Sequence, residues 1–432
     1  MQGTLVATGL RNGHISGCPV GIDFFVMLYR FPGFSALVSG SFFCVLLLLA
    51  GQRSSGQARP AEIYPSAGRF LFWSPQEKPF GFRNIEKIFP GGHTVKRGPN
   101  VSPLPYAPVE LAIRYQHKGQ AWTTARFMQE NDVAGLLVIH EGKILLERYA
   151  LGFDQNSRWT SFSVAKSFTS TLAGAAIADG SIASIDDPVT KYLPGLKGSA
   201  YEGVTVRHIL TMSSGVKWNE DYVDRRSDLN SFPGTDESRG SRLVTYMSKL
   251  PREAEPGTEF VYKTGETNLL GELVMAATKK PLADYLSEKI WSKIGMEQDA
   301  YWMTSGGNEM GGCCLSASLR DYGRFALFFL NGAKPVVAPE WTSQSTTAAP
   351  FRKVGGDPVI VEILKRGGYG YQWWIGPGNT FFATGIFGQH IQFFPSEKLL
   401  VVSLSAWPAW TDAGRWDARE AYLQAVRSAV NH

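Results

Sequence analysis

The chain has 432 residues, of which 44% are hydrophobic and 19% charged, with a formal net charge of +5 and a pI of about 8.9. Such a chain can bury a sizeable core in one large domain or two, which excludes a disordered protein. Lysines and arginines are scattered, with no run beyond pairs such as Arg225-Arg226 and Lys279-Lys280, so a solvated surface is expected and no nucleic-acid partner.

In chain order, the first signal is the apolar segment Phe34 to Ala50, preceded by Arg30 and followed by the small, polar stretch Gly51 to Ala58. This pattern predicts a secretory signal region over residues 1–58 and an exported, periplasmic or secreted protein. Met27 offers an alternative start within it. An uncleaved anchor, the competing reading, would associate the chain with a membrane, but the segment is short for a span and contains Gly40. Residues 59–108 are rich in Pro and Gly and are expected to form an extended arm. The folded domain is expected over residues 109–432.

A helical pattern begins around Val109 to Asn131, with Leu111, Ile113, Trp122 and Phe127 on one side. The runs Ala134–His140 and Lys143–Tyr149 then meet at Glu141-Gly142, a hairpin signal. A helix from Ser163 to Ala178 should stop at Asp179-Gly180, and another should span Leu319 to Leu330. Strand character returns at Thr380–Thr384, Gln389–Phe394 and Leu399–Leu404, before a last amphipathic helix over Trp416 to Val430. Strands at both ends around a helical middle predict an α+β fold. One antiparallel sheet built from both chain ends carries flanking helices, and an all-helical lobe faces it across a cleft.

Ser163-Val164-Ala165-Lys166 carries the chemistry. Residues three apart share a helix face, so the Lys166 amine can reach the Ser163 hydroxyl. Serine needs a base, and lysine can be one only where burial depresses its pKa. Phe162, Val164, Ala165 and Phe168 supply the apolar surroundings. A second copy, Ser214-Gly-Val-Lys217, contains Gly215 in a turn-like stretch and lacks the shared face. Tyr262 precedes a helix-like run. It could shuttle a proton, provided the lysine cation lowers its pKa, or simply pack in the core.

Trp373 and Trp374 line the cleft or pack beneath it. The four cysteines and seven histidines show no ligand spacing, so no metal and no cofactor is expected. The vicinal pair Cys313-Cys314 is expected to stay unbridged, because its geometry is strained. No Gly-x-Ser-x-Gly elbow is present.

Several stretches jointly resemble the serine β-lactamase and penicillin-binding-protein superfamily, in its class C-like esterase branch. They are Ser163-Val-Ala-Lys166, Asp186-Asp-Pro-Val, Val206-Arg-His-Ile-Leu-Thr-Met-Ser-Ser-Gly215, Pro256-Gly-Thr-x-Phe-x-Tyr262, Tyr369-Gly-Tyr-Gln-Trp-Trp374 and Gly388-Gln389. Ser161-Phe-Ser-Val-Ala-Lys-Ser and Trp218-Asn-Glu-Asp-Tyr222 are similar to the nylon-oligomer (6-aminohexanoate-dimer) hydrolase and carboxylesterase group. The resemblance implies a β-lactamase/transpeptidase-like fold, a Ser163 nucleophile, a Lys166 base and a Tyr262 proton carrier. It also implies an oxyanion hole from the backbone of Ser163 and Gln389, and substrate contacts from Tyr222, Thr264, Trp373 and Gly388.

Thr264 stands where many members have asparagine, and Ile386-Phe-Gly388 stands where they have Lys-Thr-Gly. Both departures favour a small ester or amide substrate over a β-lactam. A β-lactamase or D-alanyl carboxypeptidase, or a non-catalytic binding relative, are the alternatives.

Overall fold

Residues 63–431 are described in a computed structural model. The signal region and the Met27 start lie outside the described residues. The central element is a seven-stranded antiparallel sheet. Its strands, in chain order, are β1 (Val133–His140), β2 (Lys143–Tyr149), β3 (Gly368–Tyr369), β4 (Trp374–Ile375), β5 (Phe381–Gly385), β6 (Gln389–Phe394) and β7 (Leu399–Ser405). In space they run β3-β4-β5-β6-β7-β1-β2, so the early hairpin is joined to the late strands by the β7–β1 pairing. The sheet from both chain ends is therefore present. Its hairpin turns at Glu141 and Gly142, both with positive φ (49° and 78°), the combination that matches strand twist in a two-residue turn.

Successive residues of β1 point to opposite faces. Leu137 and Ile139 belong to the main core with Phe168, Leu172, Phe325 and Phe329. These come from two helices, α1 (Ala165–Ala178) and α3 (Leu319–Leu330). Leu136 and Val138 pack on the other face with Phe127, Tyr422 and Val426, the latter two from α4 (Ala413–Val430). The remaining long helix, α2 (Thr264–Thr278), packs against α1 in the helical lobe. No helix of the described residues is long and apolar enough to cross a membrane.

Two expectations change. The helical pattern at 109–131 resolves into strands Arg114–His117 and Gln120–Thr123, followed by a helix only at Thr124–Glu130. Lys118 and Gly119 both take positive φ (49° and 72°) and turn the chain back. The apolar spacing of Leu111, Ile113 and Trp122 therefore came from strand and loop residues meeting one core.

The described part of the presumed arm is built into the domain. It forms the short helical segments Ala67–Phe72, Glu77–Phe82 and Ile85–Ile88, and the strand His93–Val95 pairs with Ala300–Trp302. Its aromatic residues make it so: Trp73 is 2% exposed, Phe82 is fully buried, and the Phe70 ring stacks on Phe162 at 5.3 Å.

Candidate active site

Ser163 sits in the 3-10 turn Phe162–Val164 that leads into α1, and Lys166 lies in the first turn of α1. Phe162 has φ +43°, a left-handed conformation that a bulky residue adopts only when packing enforces it. The enforcing contacts are aromatic: Phe70, Phe82 and Phe387 surround its ring at 5.3, 4.9 and 5.2 Å. Gly180 (φ +75°) follows the C-terminus of α1, as the Asp179-Gly180 signal predicts.

The Lys166 amine has three neighbours. Its Nζ lies 3.0 Å from Ser163 Oγ, 3.0 Å from Thr264 Oγ1 and 2.7 Å from the Gly312 carbonyl oxygen. The Gly312 carbonyl can only accept, and the Thr264 hydroxyl donates its proton to the Glu220 carboxylate. A neutral amine therefore spends both N–H groups on these two acceptors and turns its lone pair to Ser163. Burial pushes the Lys166 pKa down to about 7, opposed by the charge of Glu220. Gly312 is held in place by its own N–H, which donates to Asn268 Oδ1 at 2.8 Å, one turn along α2 from Thr264.

Tyr262 directly follows the strand Glu259–Val261 that leads toward α2 and is 5% exposed. Its ring stacks on Trp374 at 5.6 Å and lies 5.1 Å from Lys166 Nζ. Burial raises its pKa, as does the charge of Glu220, while a hydrogen bond with Ser163 opposes them. The proviso of a lowered phenol pKa is thus not met. At neutral pH the phenol keeps its proton and is poised to donate it.

Glu220 is the group that reading the sequence missed. It accepts from the Thr264 N–H at 2.8 Å, from the Tyr222 hydroxyl at 2.9 Å, and from the Trp218 indole. The signal was available in Trp218-Asn-Glu-Asp-Tyr222, an acid between two aromatic donors. Tyr222 also packs on Trp410 at 5.1 Å and borders the space around Ser163. The second Ser-x-x-Lys copy is taken apart by the fold. Ser214 is buried against Lys263 and Glu266, and Lys217 is exposed beside Glu253.

Three expected positions lie elsewhere. Gln389 is fully buried at the start of β6 and lines no cavity beside Ser163. Its amide accepts from Trp159 Nε1 and the Ser405 N–H, and donates to the carbonyls of Ile386, Phe387 and Ser405. The chain next to Ser163 is Gly385-Ile386 instead. A Cβ on Gly385 would lie 2.9 Å from the Ser163 nitrogen, and Gln389 pairs with Gly385 across β5 and β6.

Gly388 (φ +91°) is the turn residue into β6, backed by the Trp407 ring. Trp373 is fully buried among Phe329, Phe381 and Phe393. Of the two tryptophans, Trp374 is the one beside Ser163. Cys313 and Cys314, expected to stay apart, form a disulfide at a bend where Cys314 has φ +67°. Among the described residues, no three His, Cys, Asp or Glu side chains cluster as metal ligands.

The Beta-lactamase family matches residues 123–425. The 6-aminohexanoate-dimer hydrolase of Paenarthrobacter ureafaciens is 31% identical over 380 residues, covering 82% of this chain and 93% of the relative. A Bacillus anthracis structure, provisionally assigned as a 6-aminohexanoate-dimer hydrolase, superposes with a TM-score of 0.68 at 21% identity. It covers 82% of this chain and 94% of that one. EstCE1, a hydrolase with promiscuous acyltransferase activity, gives a TM-score of 0.55 at 14% identity over 69% of this chain and 97% of its own. With the sheet, the helical lobe and the Ser163 surroundings in place, these matches make the chain a member of the Beta-lactamase family, a hydrolase of the serine β-lactamase superfamily.

Proposed function

We propose that the protein cleaves esters or small amides through a Ser163 acyl-enzyme. The observation that carries this is the buried Lys166 amine, with two of its three neighbours placed to accept from it and the third being Ser163 Oγ. In this reading Ser163 Oγ attacks the carbonyl carbon while its proton passes to Lys166. The tetrahedral intermediate collapses as Tyr262 gives its proton to the leaving oxygen or nitrogen, and Lys166 returns a proton to Tyr262. Water then attacks the acyl-enzyme by the reverse route and releases the acid. The N–H groups of Ser163 and Ile386 are assigned to the oxyanion, because Gly385 brings that backbone against Ser163.

An ester or amide substrate is favoured over a β-lactam because no Lys, Arg or His lines the cavities beside Ser163 among the described residues. A β-lactam or peptide carboxylate would find no cation there. The relationship to a 6-aminohexanoate-dimer hydrolase supports the same class. Ser163→Ala is expected to lower hydrolysis of p-nitrophenyl acetate by at least about 10⁴-fold with the circular dichroism spectrum retained. Unchanged turnover would refute the assignment. Export is proposed from the segment between Arg30 and Ala58, and mass spectrometry of the mature N-terminus tests it, an intact residue 1 counting against processing.

A further inference from the structure

Ser163 lies between two cavities of unequal size. The smaller, about 50 Å³, is bordered by Tyr262, Trp374, Ile360 and Trp410. The larger, about 390 Å³, reaches to the N-terminal turn Ala67–Phe72. Its walls include Phe70, Leu71 and Phe72 from that turn and Leu229, Phe232 and Met303 from the helical lobe and its connections. Thr264, Tyr222 and Ile386 are at its Ser163 end, whereas Tyr262 does not border it. No Asp, Glu, Lys, Arg or His lines either cavity among the described residues.

These placements orient the substrate. A proton donor must lie within hydrogen-bond reach of the atom that leaves, so the leaving group belongs on the Tyr262 side. The reacting carbon carries the leaving atom, the oxyanion and the acyl substituent in three different directions. With the first toward Tyr262 and the second toward the Ser163 and Ile386 backbone, the substituent points to the larger cavity. Water takes about 30 Å³ and a methylene about as much, so that space holds on the order of ten chain atoms.

We propose that the larger cavity is an acyl-chain site, walled by the N-terminal turn Ala67–Phe72, which selects uncharged acyl groups of medium length. This rests on the Ser163 acyl-enzyme reading and adds which side of the scissile bond is recognised and by what. The wall comes from residues that precede the matched family region, 123–425. Chain-length preference is therefore set in part by a segment that precedes the matched region. The walls hold no carboxylate to pair with an ammonium, so a charged acyl tail is disfavoured by desolvation.

The test is a series of ethyl esters from acetate to dodecanoate, with kcat/KM measured on the full chain. The value is expected to rise by up to about fourfold per methylene, peak at roughly six to ten carbons and then fall. Ethyl 6-aminohexanoate should be turned over at least about tenfold more slowly than ethyl hexanoate. Leu71→Trp and, from a separate wall, Leu229→Trp should each lower the octanoate-to-acetate ratio by at least about tenfold.

A profile that is flat or falls from acetate would overturn the proposal. So would a chain-length optimum on the alcohol side, seen with acetates of ethanol to octanol. Both outcomes leave the esterase reading standing. Loss of all ester turnover in the wild-type protein would instead defeat the acyl-enzyme reading itself.

Discussion

Lys166 and Tyr262 are pushed in opposite directions by the same burial, because one is charged when protonated and the other when deprotonated. That divergence suits the roles proposed for them, with the amine accepting and the phenol donating. If Lys166 is the base, kcat/KM should rise with pH through a midpoint near 7, since the neutral amine is the active form. The Glu220 charge raises that pKa, so Glu220→Gln should move the midpoint to lower pH. A midpoint that stays or moves upward would contradict the role. Tyr262→Phe should lower kcat by about 10²- to 10⁴-fold for ethyl esters. The loss should be smaller for p-nitrophenyl esters, whose leaving group departs without a proton; equal losses for both would argue for a packing role.

At the scale of elements, the N-terminal segment deserves the weight that its aromatic residues give it. Trp73 lies against Gly81 so closely that a Cβ there would come within 2.3 Å of the ring, and it packs edge-on to Phe70 at 5.1 Å. Phe70 and Phe82 in turn hold the left-handed Phe162. Trp73→Ala is expected to cost about 3–5 kcal/mol in chemical denaturation. A tether would give no change. Pro and Gly content marked the segment as extended, and it is short-turned and irregular, but composition does not reveal that its rings find partners as distant in the chain as Phe162 and Phe387. The Gln389 expectation failed at this scale too. The motif fell on the right segment, yet the turn through Phe387 (φ +59°) and Gly388 left Gly385-Ile386 facing Ser163 and Gln389 behind them.

The whole molecule depends on closure of one sheet by strands from distant parts of the chain. β7 lies between β6 and β1, so it joins the C-terminal strands to the hairpin. A chain ending at Pro395 would keep Ser163, Lys166 and Tyr262 but lack β7 and α4. It is expected to show no cooperative thermal transition and rapid proteolysis, because β1 would lose one of its two pairing partners and the face bearing Leu136 and Val138 would lose the cover of α4. A folded, active product would contradict that dependence.

What the sequence determined by itself is local and periodic. It includes the Glu141-Gly142 hairpin, the end of α1 at Asp179-Gly180, the span of α3, and the serine and lysine one turn apart. Each is written in a few neighbouring residues whose backbone preferences and spacing act alone. Tertiary structure decided what depends on meeting across the chain. It put Glu220 behind Thr264, set Trp374 rather than Trp373 beside Ser163, and placed Gly385-Ile386 against Ser163. It also walled the larger cavity with the N-terminal turn. Those outcomes are fixed by desolvation and packing among residues far apart in the chain, which no local pattern encodes.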